Sequence, residues 1–166
     1  ITLVVAGSDS GAVPNIRFRS LPDILKRRNS IRFSKAVKKY IKNESIEEKV
    51  KFIGVQSDMS IPYSACDVLI FPMKEPHQAR PAFEIGVQKK PVIIADFPHI
   101  HEFVKDGYNG LTFEPLNPEK LAQSIMKLKN NRTLLRELGR NNYQHTMHYH
   151  TTENAMSALL AEIDII

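Results

Sequence analysis

The chain has 166 residues, 42% of them hydrophobic, which is enough for one compact domain with a real core and too little for two large ones. Its single cysteine, Cys66, excludes an internal disulfide framework and a cysteine-rich zinc site and fits a reducing compartment, with the cytoplasm as the default expectation. The net charge of +5 is concentrated between Arg17 and Lys42, and no apolar run approaches the roughly 20 residues of a membrane-spanning helix.

In chain order, ITLVVAG (residues 1–7) has the β-rich composition of a strand rather than of a signal peptide. Residues 8–33 read as loop with one helix near 21–28, and a helix follows over 34–43. In that helix Lys35, Lys38, Lys39 and Lys42 fall at helical spacing around Val37 and Ile41, so the basic patch reads as a solvated face. Docking of residues 17–42 onto phosphate or anionic lipid is the competing reading; nucleic acid is not expected, because no nucleic-acid motif accompanies the charge.

KVKFIGV (49–55), DVLIFP (67–72), PVIIAD (91–96) and GLTFEP (110–115) are further apolar runs. Continuous rather than alternating hydrophobicity indicates strands covered on both faces, as in a parallel sheet. Between them the pattern predicts helices over 59–65, from Pro81 to about Lys89, and over 99–105. Asn117 is a predicted N-cap with Pro118 at the first helical position, and Leu121, Ile125 and Leu128 form the apolar face of the helix they open. Helices over 131–146 and 152–163 close the chain, giving a doubly wound, mostly parallel Rossmann-like α/β domain with a C-terminal helical tail.

The stretch MKEPHQARPAFE (73–84) follows the strand VLIFP and precedes a helix, which puts a polar loop at the carboxyl end of a buried strand, where open α/β sheets bind ligands. Pro81 suits the first helical turn, and the backbone amides around Ala79 to Ala82 would form an anion site. Arg80 adds a guanidinium fork suited to phosphate, and Glu84 a carboxylate able to accept from two vicinal ribose hydroxyls. The structural alternative is a dipole-complementing Glu84 and a solvated Arg80, and the local chemistry leaves both open.

The ordered landmarks VKFIG, YSACDVLIFP, the Pro-x-x-Glu helix start, KKPVIIAD, DGYNGLTFEP and NPEKLAQSI, from about Lys49 to Leu128, resemble the C-terminal donor-binding domain of retaining glycosyltransferases of the GT-B fold, family 4, the glycosyl transferases group 1. The resemblance implies one half of a GT-B fold that binds a UDP- or GDP-linked sugar without a further cofactor or metal. It also implies transfer with retention to a glycan or lipid-linked acceptor, by a cytoplasmic protein for which peripheral contact with the inner face of the membrane is a further expectation. In that family a Glu-x7-Glu motif spans the loop and helix, the second Glu holding the ribose and the first contacting the sugar. Glu84 matches the second, whereas Pro76 occupies the register of the first, with Glu75 one position before it and His77 one after.

Three readings follow from that departure. Glu75 reaches the sugar through a shifted loop, or His77 and Gln78 take over its recognition, or the site binds nucleotide without efficient transfer; the second is preferred. Gln78 and Ala79 would face sugar and diphosphate, and Val55 and Gln56 would stand where the family recognises the base. The resemblance further implies that residues 1–166 form one nucleotide-sugar-binding domain of a longer enzyme, inactive by itself, whose acceptor-binding N-terminal domain lies elsewhere. ITLVVAGSDSG looks like the family's second strand and glycine turn; if it is instead the first strand, Ser8, Ser10 and Gly11 line the cleft mouth. Competing functions are a GT-B-like nucleotide-sugar epimerase and a non-catalytic basic binding module.

Other conspicuous residues carry blander expectations. His145, His148 and His150 read as neutral surface histidines rather than metal ligands, His99 and His101 as loop residues near the cleft. Asp106-Gly107 and Asn109-Gly110 read as turn chemistry, and Cys66 as a small buried hydrophobe.

Overall fold

A computed structural model describes residues 1–6 and 21–163. Ser8, Ser10 and Gly11 lie outside the described residues. The chain divides into two compact units, Ile1–Met59 and Ser60–Ile166.

In the first unit, β1 (Leu3–Ala6) pairs in parallel with β2 (Val50–Gly54), Leu3 opposite Val50 and Val5 opposite Phe52. The connection is α1, a helix of 23 residues from Leu21 to Asn43, followed by a short 3-10 turn at Glu47–Lys49. The separate helices expected near 21–28 and over 34–43 are one helix. Pro22 falls in its first turn, where a missing N–H costs nothing, and no Gly or Pro interrupts the run from Asp23 to Asn43. Ile41 of α1 is buried and Lys38 places its ammonium 5.7 Å from the centre of the Phe52 ring. Gly54 ends β2 with a φ of +69°, the left-handed conformation that glycine adopts without a Cβ penalty.

The second unit carries a parallel sheet in the order β3 (Leu69–Phe71), β4 (Val92–Ala95), β5 (Gly110–Phe113), with Leu69 opposite Val92 and Val92 opposite Gly110. Before it comes α2 (Ser60–Ala65), between β3 and β4 runs α3 (Arg80–Gly86), and after β5 follow α4 (Pro118–Asn130), α5 (Arg132–Tyr149) and α6 (Thr152–Ile163). Every residue of β4 is buried. Ile93 and Ala95 join Leu111 and Phe113 of β5, Leu128 of α4 and Leu138 of α5 in one cluster. Alternation along the strand turns Val92 and Ile94 to the opposite face. Both faces of β4 are thus covered, as its uninterrupted hydrophobic sequence requires.

The helix caps follow the sequence closely. Asn117 Oδ1 accepts from the Lys120 amide at 3.0 Å with Pro118 opening α4, and Asn131 Oδ1 accepts from the Leu134 amide at 2.9 Å to open α5. The helix expected over 99–105 is instead a 3-10 turn at Pro98–Glu102. Its continuation is pre-empted by Asn109, which is fully buried: its Oδ1 accepts from the Lys105 amide at 2.7 Å and its Nδ2 donates to the Phe103 carbonyl at 2.9 Å. Such side-chain bonds offer the backbone an alternative to helix. Asp106 Oδ1 takes the Thr112 amide at 2.8 Å, so the Asp106–Gly110 turn is structural as its sequence suggests.

Asn142, at the centre of α5, ties the second unit together. It is buried, donates to the carbonyls of Ala82 and Lys90, and accepts from Asn109 Nδ2. Two glycines let α5 come this close: a Cβ on Gly86 would collide with Thr146 Oγ1, and one on Gly139 with the Lys89 carbonyl.

Candidate functional site

The loop 72–79 leaves the carboxyl end of β3 and delivers the chain to α3, so the N-terminus of α3 stands at that end of the sheet. Pro81 lies in the first turn of α3, and the Ala82 amide is already bonded to the Ala79 carbonyl at 2.7 Å. Ala79 is fully buried, whereas Glu75, Pro76, His77 and Gln78 are exposed.

Glu84, one turn into α3, has a partner on each carboxylate oxygen. Arg80 Nε is 3.0 Å from Oε1, and the Tyr63 hydroxyl donates to Oε2 at 3.0 Å. The two partners differ in kind. Arg80 is 76% exposed and one helical turn away on the same helix, a geometry that contributes about 0–1 kcal/mol. Tyr63 is 6% exposed and reaches Glu84 from α2, 21 positions earlier. Burial first, and next the bond to Glu84, hold the Tyr63 hydroxyl above its ordinary pKa, so it stays a proton donor. Nothing in the local sequence around Glu84 signals Tyr63; the available sign was a tyrosine in the short helix ahead of the strand that feeds the loop.

The loop itself is held. His99 Nε2–H donates to the His77 carbonyl at 3.0 Å, and the His77 ring meets Phe71 edge-on at 6.4 Å between centroids. His99 therefore braces the loop backbone, and His101 is engaged with Asp96 at 2.7 Å. Val55 and Gln56 follow β2 in the first unit; Val55 is 71% exposed and the Gln56 side chain turns back to the Ile53 carbonyl.

Two open grooves lie elsewhere in the second unit. One of about 490 Å³ runs along β5 and α4 past Asp96, Thr112, Glu114, Lys120 and Lys127. The other, about 470 Å³, lies among Lys105, Tyr108, Gln144, His148 and Tyr149. Neither includes Glu84.

The C-terminal histidines differ from a surface group. His145 is 7% exposed with Nε2 bonded to the Glu102 carbonyl, and His150 stacks on Phe83 with centroids 4.9 Å apart; only His148 is exposed. They are drawn inward because α5 continues to Tyr149 and lays this face against α3 and residues 102–103. Burial lowers the pKa of both His145 and His150. Among the described residues no group of three or more His, Cys, Asp or Glu is placed to hold a metal ion. Cys66 is half-buried, its thiol pKa is raised by burial, and it donates weakly to the Tyr63 carbonyl at 3.4 Å.

Residues 1–145 match the family model described as glycosyl transferases group 1. The chain belongs to this family. An uncharacterized glycosyltransferase of Methanocaldococcus jannaschii is 38% identical over 76 residues, covering 46% of this chain and 22% of the relative. Among solved structures, Anabaena HepE in complex with UDP superposes with a TM-score of 0.75 at 21% identity, over 98% of this chain and 41% of its own. Sucrose-phosphate synthase from Thermosynechococcus elongatus gives 0.73 at 22% identity, over 99% and 39%. At these identities the likeness speaks for the fold, a Rossmann-like α/β domain as in GT-B glycosyltransferases. This group 1 domain spans about two-fifths of the length of either solved structure. No helix among its described residues is long and apolar enough to cross a membrane.

Proposed function

We propose that this domain binds a UDP- or GDP-linked sugar, and that the complete enzyme transfers the sugar with retention to a glycan or lipid-linked acceptor. The observation that carries this reading is the Glu84 carboxylate, held at the carboxyl end of β3 by Tyr63 and Arg80. A carboxylate offers about four lone-pair positions, so two remain, one on each oxygen, for the 2′- and 3′-hydroxyls of a ribose. Arg80 spends only Nε on Glu84, and its other N–H groups remain as a fork for the diphosphate.

Since α3 has seven residues, the guanidinium and the amide of exposed Gln78 carry the anion contact more than a helix dipole does, whereas Ala79, expected at the diphosphate, is fully buried and offers no amide to a ligand. His77 and Gln78, on a loop braced by His99, stand in for the absent glutamate at the sugar; Glu75 is the other candidate. The chemistry of this half-site is positioning of the donor and stabilisation of the charge that develops on the diphosphate as the glycosidic bond breaks. A further domain supplies the acceptor side, so the isolated domain binds nucleotide without transfer. The UDP complex of HepE supports the nucleotide assignment.

Calorimetric titration of the complete enzyme tests this. Glu84→Ala is expected to weaken UDP or GDP binding by about tenfold or more, the loss of charge-assisted hydrogen bonds. Unchanged affinity for both nucleotides would remove Glu84 from the site.

A further inference from the structure

We infer that Tyr63 is a positioning residue that fixes the Glu84 carboxylate so that its two remaining acceptor positions match the pair of ribose hydroxyls, making Tyr63 a determinant of ribonucleotide selectivity. The inference rests on the ribose reading of Glu84 and adds a residue that contacts no donor atom itself.

The geometry separates Glu84's two partners. Arg80 is mostly exposed, lies on the same helix and has a competing use at the diphosphate, so it is free to change partner when the donor arrives. Tyr63 is buried, arrives from a different element, and has its hydroxyl on the Glu84 oxygen that Arg80 does not hold. Its ring is therefore locked by packing while its hydroxyl points at the carboxylate, the arrangement that holds a binding group close to its productive geometry. Tyr63 stays protonated, for the reasons of burial and hydrogen bonding given above, so the bond has one direction: tyrosine donates and glutamate accepts. With that donor already protein-supplied, the carboxylate can bind only further donors. A vicinal diol supplies two, and a dideoxyribose supplies none, leaving the acceptors unpaired.

The test is titration calorimetry of the complete enzyme with UDP and 2′,3′-dideoxy-UDP, or the GDP pair if GDP is the tighter wild-type ligand, for the wild type, Tyr63→Phe and Glu84→Ala. Tyr63→Phe keeps the ring packing and removes only the hydroxyl. UDP binding is expected to weaken about tenfold while dideoxy-UDP binding stays within about twofold of wild type, so the selectivity ratio collapses. A merely structural tyrosine would weaken both ligands equally and leave the ratio intact, which overturns the inference. Wild-type behaviour of Tyr63→Phe alongside a weakened Glu84→Ala overturns it too, with the role of Glu84 standing. A wild-type enzyme that does not distinguish UDP from its dideoxy form, or binds neither nucleotide, overturns the ribose reading and this inference with it.

Discussion

β1 and β4 are four-residue parallel strands of nearly the same composition, LVVA and VIIA, yet every residue of β4 is buried while β1 has three of its four exposed. Leu3 and Val4 are 44% and 47% exposed; Ile93 and Ile94 are fully buried. The strand sequence is equally apolar in both, so burial is decided by what covers the two faces and both edges. β4 is the middle strand between β3 and β5, with α4 and α5 packed on the Ile93 and Ala95 side. β1 pairs with β2 in a sheet of two among the described residues, and of that unit's described side chains Ile41 is the buried hydrophobic one. The difference matters for the proposed site: Glu84, Arg80, Tyr63 and the braced loop belong to the unit built around β4, so the carboxylate proposed for the ribose stands on a packed scaffold.

The comparison breaks most visibly in stability. Ile93→Ala is expected to cost about 2–5 kcal/mol in denaturant unfolding, because a fully packed site collapses only partially around the cavity. A cost below about 1 kcal/mol would mean that the β4 core is not the scaffold described. An intermediate effect comes from acid. His145 and His150 have their folded-state pKa values lowered by burial, so the unfolded chain binds more protons below its own value of 6.5. Their contribution is complete above that pH and is lost as the pH falls toward the folded-state values. Urea midpoints should drop between about pH 7.5 and 5.5, and His150→Phe, which preserves the stack on Phe83, should reduce the drop. No change in slope would place these histidines in water. The smallest effect is expected for Val4→Ala, under about 1 kcal/mol, because a half-exposed side chain has less burial to lose.

The same contrast explains what the sequence made legible. Each of the five described strands lies within its apolar run, and the Asn117 cap follows from local chemistry that needs no distant partner; Asn131, expected as the first residue of a helix, caps α5 by the same chemistry. The expected coverage of both faces holds for β4 and fails for β1, since hydrophobicity reports a demand for burial and not its fulfilment. Glu84 was visible as a carboxylate one turn into a helix after a buried strand. Tyr63 was not, because the bond joins residues 21 apart through the tertiary placement of α2, and no periodicity encodes that. His145 and His150 misled for a similar reason: their burial depends on α5 meeting α3 and residue 102, contacts invisible within the run NNYQHTMHYH. The 3-10 turn at 98–102 escaped a pattern reading because Asn109, a turn residue by composition, satisfies backbone groups several positions earlier.

A crystal structure of the complete enzyme with UDP or GDP bound tests the central claim most directly. The account predicts both ribose hydroxyls within about 3 Å of the Glu84 carboxylate oxygens, the Tyr63 bond retained and Arg80 turned to the diphosphate. A nucleotide bound away from the end of β3, with Glu84 still holding only Arg80 and Tyr63, would contradict it.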